Sequence, residues 1–461
     1  MLRVTVLERG RIVRDETGST SKSAGGTPQY RVLPSRLYDR LERTEVSHDE
    51  RDGKGRVIEW HRRHGVVGQW VGVIQIPGLQ LEILPKTDAE DPPEDGDDIL
   101  VDGARRNLMT MLLRGGLGAV RARGVADLST KRGTIHDRLV DAFLDRALEE
   151  LERGLDRHYA TEEANLSVLR GKLVIGRQVT RNAAQRHRFF CRHDSLTEAT
   201  PISIRLKQCC QVLVERPLPE SVLTRVRDVL GVLDDVPDLA FRRSEPDPVF
   251  NRQNERFRDV YDFACMVLEG QAADARRGGV ETFTLLFDMD QVFERFISAF
   301  VQAEVIPGLE GAVARPQGKG DRRALFHDPD AKRDVLHLKP DLLVERDGKT
   351  FVLDTKWKRL SEEKAARPSN PDLYQLFAYL HRYDCDWATL LYPARAGLKD
   401  RNLEALHGKV GRKAGTIGVR FVDVSRPLWT PKGRADLAME LADIVREGLN
   451  LAETGTRKAT A

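Results

Sequence analysis

The chain has 461 residues, nearly a third of them charged, yet its formal net charge is only +3. That length exceeds what one hydrophobic core usually serves, so two or three domains are expected, and the near balance of charge excludes a protein whose whole surface grips nucleic acid; any DNA footprint must be local. No apolar run is long enough to cross a membrane, the opening MLRVTVLERGRIVRDE lacks a signal-peptide core, and the five cysteines show neither CxxC nor paired histidine spacing, which argues against structural zinc and for reduced thiols in a cytoplasmic protein.

Residues 1–100 read as a β-rich N-terminal domain. VGVIQI and LQLEIL are apolar runs either side of Pro77-Gly78, a pair suited to a type II turn, and Pro85-Lys86 ends the second run. Gly18 to Thr27 and the charged stretch Ser47 to Arg56 read as loops or extensions, and the acidic, proline-containing stretch Asp88 to Asp98 as a linker. Residues 101–270 are expected to form a helical linking region. NLMTMLLRGG and IHDRLVDAFLDRALEELERGLDRHYA carry apolar residues at helical spacing, Ile135, Leu139, Phe143 and Ala147 among them, and packing is the expected use of that stripe. Further on, Arg181, Arg186, His187, Arg188, Arg192 and His193 surround Phe189-Phe190. Such a mixture contacts phosphates in some proteins, but two adjacent phenylalanines are more often core with the arginines as a solvated rim, so the run is a secondary candidate for DNA contact.

The chemistry concentrates in residues 271–430. LLFDMDQVFERFISAFVQAEV predicts a helix with Met289, Val292, Phe293, Phe296, Ile297 and Phe300 on its apolar stripe and Glu294 at the border, either leaning toward a site on the sheet or in a surface ion pair. KPDLLVE and FVLDTKW then flank RDGK, whose Asp347-Gly348 favours a two-residue type I′ turn. If that turn closes Arg346 against Lys349, antiparallel counting pairs Glu345 with Thr350 and, further along, Asp341 with Asp354. Side chains so opposed have Cβ atoms roughly 4.5–5.5 Å apart, close enough to share one cation. Lys356 falls on the same face by the strand period. Two bare carboxylates at that distance repel; a hard divalent metal neutralises them, and a neighbouring lysine stabilises or activates a nucleophilic water. An Asp-x-Lys triplet also arises by chance, and Asp330-Ala-Lys332 is such a decoy, set among turn and charged residues without a strand pattern. Asn370-Pro371 is expected to cap a helix through NPDLYQLFAYLHRY, which places Gln375 and Tyr379 four apart on one face. The strands WATLLYP and GVRFVDV follow, so the region reads as an α/β sandwich with a mixed sheet, and residues 431–461 as a C-terminal helix and flexible tail. No GxxxxGK[ST] phosphate loop occurs, so nucleotide hydrolysis is not assigned to this chain.

Pro340-Asp341 with Asp354-Thr355-Lys356 resembles the defining motif of the PD-(D/E)xK nuclease superfamily, and Gln375-x-x-x-Tyr379 resembles the QxxxY element of some of its branches. With VGVIQIPGLQLEILPK, LRGKLVIGRQVTRN, RFFCRHDSLTEATPISIRLK and FTLLFDMDQVFERF, the resemblance extends from about Val66 to Val424 and is to the McrC family, the nuclease subunit of McrBC-type restriction systems. The first sixty residues match least. The resemblance implies an α/β multidomain protein with a C-terminal restriction-endonuclease-like domain and a Mg²⁺-dependent (Mn²⁺ also possible) endodeoxyribonuclease activity on modified double-stranded DNA. It also implies a McrB-like AAA+ GTPase hexamer as partner, which binds the GTP itself and which this chain stimulates. Asp341 and Asp354 would hold the metal with Glu294 as a third carboxylate; Lys356 would act on the water and the phosphate; Gln375 and Tyr379 would support the site or orient the strand. The charged stretch Glu42 to His64, with Arg51, Arg56, Arg62 and Arg63, is the candidate element for engaging the partner ring. Two alternatives stay open: a non-catalytic adaptor that stimulates an AAA+ GTPase, and a stand-alone DNA repair nuclease.

Overall fold

The structure is a computed structural model that describes residues 1–15, 25–44, 56–86, 97–116, 134–241, 247–275, 282–358, 368–394, 398, 400–404 and 415–449. Most of the Gly18 to Thr27, Ser47 to Arg56 and Asp88 to Asp98 stretches, Arg51 included, and the tail beyond residue 449 lie outside the described residues. The chain divides into two compact units, residues 1–139 with 273–461, and residues 140–272.

In the first unit β1 (Leu2–Leu7) belongs to one sheet, while β2 (Arg11–Asp15), β3 (Gly25–Thr27), β4 (Tyr30–Pro34), β5 (Ile58–Trp60) and β6 (His64–Val67) form another in the order β3-β4-β2-β6-β5. Helix α1 (Ser35–Arg43) turns Tyr38 and Leu41 into the core, with Tyr38 edge-on to Trp60 at 5.3 Å. Residues Val57 and Ile58 are buried, so the end of the charged Glu42 to His64 stretch is a strand of this sheet; Arg56, Arg62 and Arg63 are exposed. Strands β7 (Trp70–Ile76) and β8 (Leu79–Leu84) pair antiparallel around Pro77-Gly78, with Gly78 at φ 90°, the left-handed value a type II turn needs at its third position. Every residue of both strands is buried, which is why they read as continuous apolar runs. Helix α2 (Asp97–Arg114) is tied to the C-terminal part of the chain by the buried Asn107 amide, which donates to the carbonyl of Val424 (3.0 Å) and accepts from the N–H of Leu428 (3.0 Å).

The second unit contains helix α3 (Ile135–Glu152) from Val140 onward, together with β9 (His158–Leu166), β10 (Lys172–Leu173), α4 (Ile175–Arg181), β11 (Phe189–Thr197), α5 (Pro201–Val214), α6 (Glu220–Val232) and, up to residue 272, α7 (Arg258–Ala275). Phe143 of α3 stacks on Phe263 of α7 at 4.9 Å. The expectation of a helical region omits the antiparallel sheet β10-β11-β9. Its long strand HYATEEANL is mostly polar and largely open on both faces, so it lacks the period-two signal of a half-buried strand. Phe190 is buried with the guanidinium groups of Arg177 and Arg181 over its ring at 5.2 and 5.8 Å, and Arg192 pairs with Glu163 at 2.6 Å. The aromatic pair therefore sits in a strand, one member in the core and the arginines at its rim.

Returning to the first unit, β12 (Phe283–Asp288) pairs antiparallel with β7 and completes a four-stranded sheet β1-β8-β7-β12. Gly72 makes that contact possible: at φ 129° a Cβ there would lie 2.0 Å from the Leu285 carbonyl oxygen. Asp288 caps helix α8 (Met289–Phe300), which buries Met289, Val292, Phe293, Phe296, Ile297 and Phe300, the stripe its spacing predicts. Then come β13 (Val313–Pro316), the separate hairpin β14 (Ala324–Asp328) and β15 (Arg333–His337), β16 (Leu342–Arg346), β17 (Lys349–Thr355), α9 (Asn370–Arg382), β18 (Trp387–Pro393), β19 (Arg401–Glu404), β20 (Thr416–Val422) and α10 (Pro431–Gly448). The sheet β13-β16-β17-β18-β20-β19 is mixed: β17, β18 and β20 run parallel, the outer pairs antiparallel. Leu376, Tyr379 and Leu380 of α9 pack on Leu343, Val352, Leu390 and Val419 of one face. Gly448 of α10 closes on Phe351, which strand alternation assigns to the other face. The α9 cap is Ser369, whose hydroxyl accepts from the Asp372 N–H, and Asn370 is the first helical residue; serine one position earlier serves the same orphan N–H groups. Among the described residues no helix is long and apolar enough to cross a membrane.

Candidate active site

The site is built on the β16–β17 hairpin. Asp347 and Gly348 both take positive φ, 50° and 74°, as a type I′ turn demands, and the ladder runs from Arg346↔Lys349 through Glu345↔Thr350 to Leu342↔Leu353. One step beyond the last pair, Asp341 stands opposite Asp354. Alternation puts Asp341 with Leu343, and Asp354 with Val352, on the face that α9 covers. The decoy Asp330 and Lys332 lie exposed in the hairpin loop between β14 and β15.

Asp341 is held by four hydrogen bonds from three residues. The Thr355 N–H and hydroxyl both donate to its Oδ2 (2.7 and 2.8 Å), while its carbonyl accepts from the Gln317 N–H (2.9 Å) and the Ser298 hydroxyl (3.2 Å). Asp354 is fully buried at the end of a central strand, and among the described residues neither of its carboxylate oxygens receives a well-directed hydrogen bond. Its close cation is Lys356, with Nζ 2.5 Å from Oδ2. Burial, then the neighbouring Asp354 and Glu294, push the Asp341 carboxyl well above the usual range. Burial raises Asp354 as well, against the pull of Lys356. For Lys356, burial alone would lower the ammonium, but Asp354 and Asp341 outweigh it and hold the group up. Two acids and one lysine thus share a space that accommodates less negative charge than it carries.

Glu294 reaches this cluster from α8, close enough to act on both aspartates, and accepts from the Gln317 side-chain amide (3.1 Å). On the other side Gln375 donates to the Tyr379 hydroxyl (2.8 Å), which donates to the Lys339 carbonyl (3.0 Å), two residues before Asp341. The structure therefore brings Asp341, Asp354, Lys356 and Glu294 together, with Gln375 and Tyr379 bracing the backbone that leads into Asp341. Sequence reading missed Ser298, Gln317, Thr355 and Trp357. Ser298 was within reach, four residues after Glu294 on the same helix face. Gln317 had no local signal; it holds φ 50°, rare for a residue with a side chain, where it bridges Glu294 and Asp341.

An all-oxygen donor set of two buried carboxylates, in which Asp354 is paired with the Lys356 ammonium but receives no well-directed hydrogen bond from the described residues, fits a hard divalent cation, and Mg²⁺ needs only one or two carboxylates because it keeps several waters. Among the described residues no three such side chains converge to ligand distance, so the fit rests on Asp341 and Asp354, with Glu294 engaged by Gln317.

Over residues 66–393 the chain matches the profile of the McrBC family, described as McrBC 5-methylcytosine restriction system component. Among solved structures it is similar to a chain of the refined half-complex from the tetradecameric assembly of Thermococcus gammatolerans McrB AAA+ hexamers with bound McrC. That likeness has 18% identity and a TM-score of 0.57, and covers 96% of this chain and 100% of the other. A second similarity is to the cryo-EM structure of the Thermococcus gammatolerans McrBC complex, at 18% identity and TM-score 0.42 over 66% of this chain and 88% of that one. No curated protein matches the chain.

Proposed function

This chain belongs to the family of McrBC 5-methylcytosine restriction system components, and on that premise we propose that it is of the McrC kind, the Mg²⁺-dependent endodeoxyribonuclease subunit of a restriction complex. The observation that carries the reading is Asp354, a fully buried carboxylate that receives no well-directed hydrogen bond from the described residues, facing Asp341 with Lys356 at 2.5 Å. A scaffold has no use for such a charge, whose burial is unfavourable. The fold read in this way is a PD-(D/E)xK domain, and the enzyme works in the cytoplasm.

Asp341 and Asp354 would hold the divalent ion, with Glu294 as the third carboxylate at its edge. Bound there, the ion supplies Lewis-acid polarisation of a phosphate oxygen and neutralises the acidic pair. The Thr355 hydroxyl and N–H orient one Asp341 oxygen with two donors, which would leave the other to bind the ion. Lys356 would orient the attacking water and offset the negative charge that builds on the phosphoryl oxygens as the water oxygen bonds to phosphorus, its proton passing to solvent, and the bond to the leaving ester oxygen breaks with that oxygen protonated by solvent. Tyr379 and Gln375 keep the backbone that leads into Asp341 in register.

The partner in this reading is an AAA+ GTPase hexamer of the McrB kind, as the name of the similar Thermococcus assembly supports, with modified duplex DNA as substrate. The chain has no phosphate loop of its own, so GTP belongs to that partner, which this chain stimulates. The β-rich residues 1–100 are assigned to partner recognition, and the stretch Glu42 to His64 to the contact. The test is reconstitution with the GTPase, GTP, Mg²⁺ and methylated DNA. Lys356→Ala and Asp354→Ala should reduce cleavage by about a thousandfold or more while the complex assembles and hydrolyses GTP as before. Cleavage at the wild-type rate by Lys356→Ala would remove the assignment and leave the adaptor reading.

A further inference from the structure

The chain leaves the site through Trp357, and this residue is anchored to a different sheet. Lys356 is still part of the strand ladder, its N–H donating to the Leu391 carbonyl (2.9 Å). The next N–H, that of Trp357, donates to Asp290 Oδ1 (3.0 Å) at the start of α8, and the other oxygen of Asp290 accepts from the Gln69 side-chain amide (2.5 Å) just before β7. The Trp357 indole N–H is shared between both carboxylate oxygens of Glu8 (2.9 and 2.8 Å), the residue after β1. Both ends of this contact are buried, Trp357 at 4% exposure and Glu8 at 2%, and the indole meets Phe293 edge-on at 5.3 Å. Glu8 and Gln69 belong to the N-terminal part of the chain, whereas Phe293 and Asp290 lie on the helix that also supplies Glu294.

We propose that Trp357 is a positioning residue for phosphodiester cleavage, through which Glu8 and Asp290 hold the end of β17 so that Lys356 meets Asp354. The proposal rests on the nuclease reading above. Its physical basis is leverage: adjacent residues of an extended chain point to opposite faces, so an indole locked on one side fixes the ammonium on the other. Packing alone does not require this arrangement. A phenylalanine would fill the same space, but it would leave the buried Glu8 carboxylate without the indole N–H.

Trp357→Phe, in the full chain assembled with its AAA+ GTPase, should lower kcat for cleavage of methylated DNA roughly ten- to a hundredfold, the scale of an ångström-level misplacement. The KM for DNA and the stimulation of GTP hydrolysis should stay as in the wild type. Glu8→Ala should copy this loss, Glu8→Gln, which keeps one oxygen to accept from the indole, should recover most of it, and the double change Trp357→Phe with Glu8→Ala should be no worse than either alone. If Trp357→Phe does not fold, the comparison of Glu8→Ala with Glu8→Gln carries the test. An unchanged kcat in Trp357→Phe or Glu8→Ala overturns the proposal, and so does a loss shared equally by KM and GTPase stimulation, or a Glu8→Gln protein no better than Glu8→Ala. A wild-type assembly that does not cut, under conditions where it hydrolyses GTP, overturns the nuclease reading itself and takes the proposal with it.

Discussion

Asp354 is the residue at which stability and activity pull in opposite directions. Its carboxylate lies buried in a central strand, paired with Lys356 but beside a second acid, so the cluster keeps an excess of negative charge, an arrangement that costs folding free energy unless a further cation enters. Asp354→Asn should therefore raise the melting temperature of the metal-free protein while abolishing cleavage. Mg²⁺ at a hundred times its dissociation constant should stabilise the wild type by about 2.7 kcal/mol and the variant hardly at all. Thermal melts with and without the ion check both halves, and a variant that melts lower than the wild type without metal would show that the carboxylate is satisfied by other means. Thr355 and Gln317 act differently: they hold Asp341 from its two ends, the side chain and the carbonyl, and neither bears a formal charge.

At the scale of elements, α9 serves the site as a buttress. Its inner face buries Leu376 and Leu380 in the core, and Tyr379 among them carries a hydroxyl whose hydrogen bond to the Lys339 carbonyl steadies the approach to Asp341. Tyr379→Phe should cost about 1–2 kcal/mol, because it leaves that carbonyl without this donor, and should lower cleavage without changing which metal is used. Urea unfolding and cleavage kinetics on one preparation read both effects. The start of α9 carries a pH signature. Burial would raise Asp372, but the Ser369 hydroxyl and the Lys358 ammonium at 3.0 Å outweigh it and hold the carboxyl below its ordinary range. A depressed folded-state value means that the stabilisation is complete above the unfolded value of about 3.9 and disappears as pH falls through the folded one. Asp372→Asn should thus be less stable than the wild type at pH 7, by about 1–2 kcal/mol, and the two should converge in acid below pH 4. A constant difference across that range would remove the ionised pair as the cause.

For the whole molecule, partner engagement and cleavage occupy separate parts of the chain in the proposed function. Deleting Glu45 to Arg56, most of which lies outside the described residues, should lower stimulation of the partner's GTPase and leave Mg²⁺ binding by the isolated chain unaltered. GTPase rates and Mg²⁺-dependent melting, measured side by side, distinguish the two. Equal stimulation and equal assembly after the deletion would move the contact elsewhere. The Glu8 to Trp357 hydrogen bonds tie the first strand of the chain to the end of the catalytic hairpin, so an effect on turnover from a change in the N-terminal sheet is the expected outcome of this architecture.

What the amino-acid order by itself determined is the part of the site governed by local rules. Asp347-Gly348 sets a turn with two positive φ values; the turn sets the register; the register sets Asp341 against Asp354 and, by the strand period, Lys356 beside them. The apolar stripes of α8 and α9 likewise follow from spacing, because each helix buries one face. Only the tertiary structure decided which distant segments complete these elements. β12 joins a sheet begun at Leu2 because Gly72 admits its backbone, Gln317 crosses from a loop to link Glu294 with Asp341, and Trp357 finds its acceptor on Glu8. The long strand β9 escaped notice because it is largely open on both faces. Such pairings depend on chain closure over long separations and on the shape of the packed core, and neither leaves a periodic mark in the residues that take part.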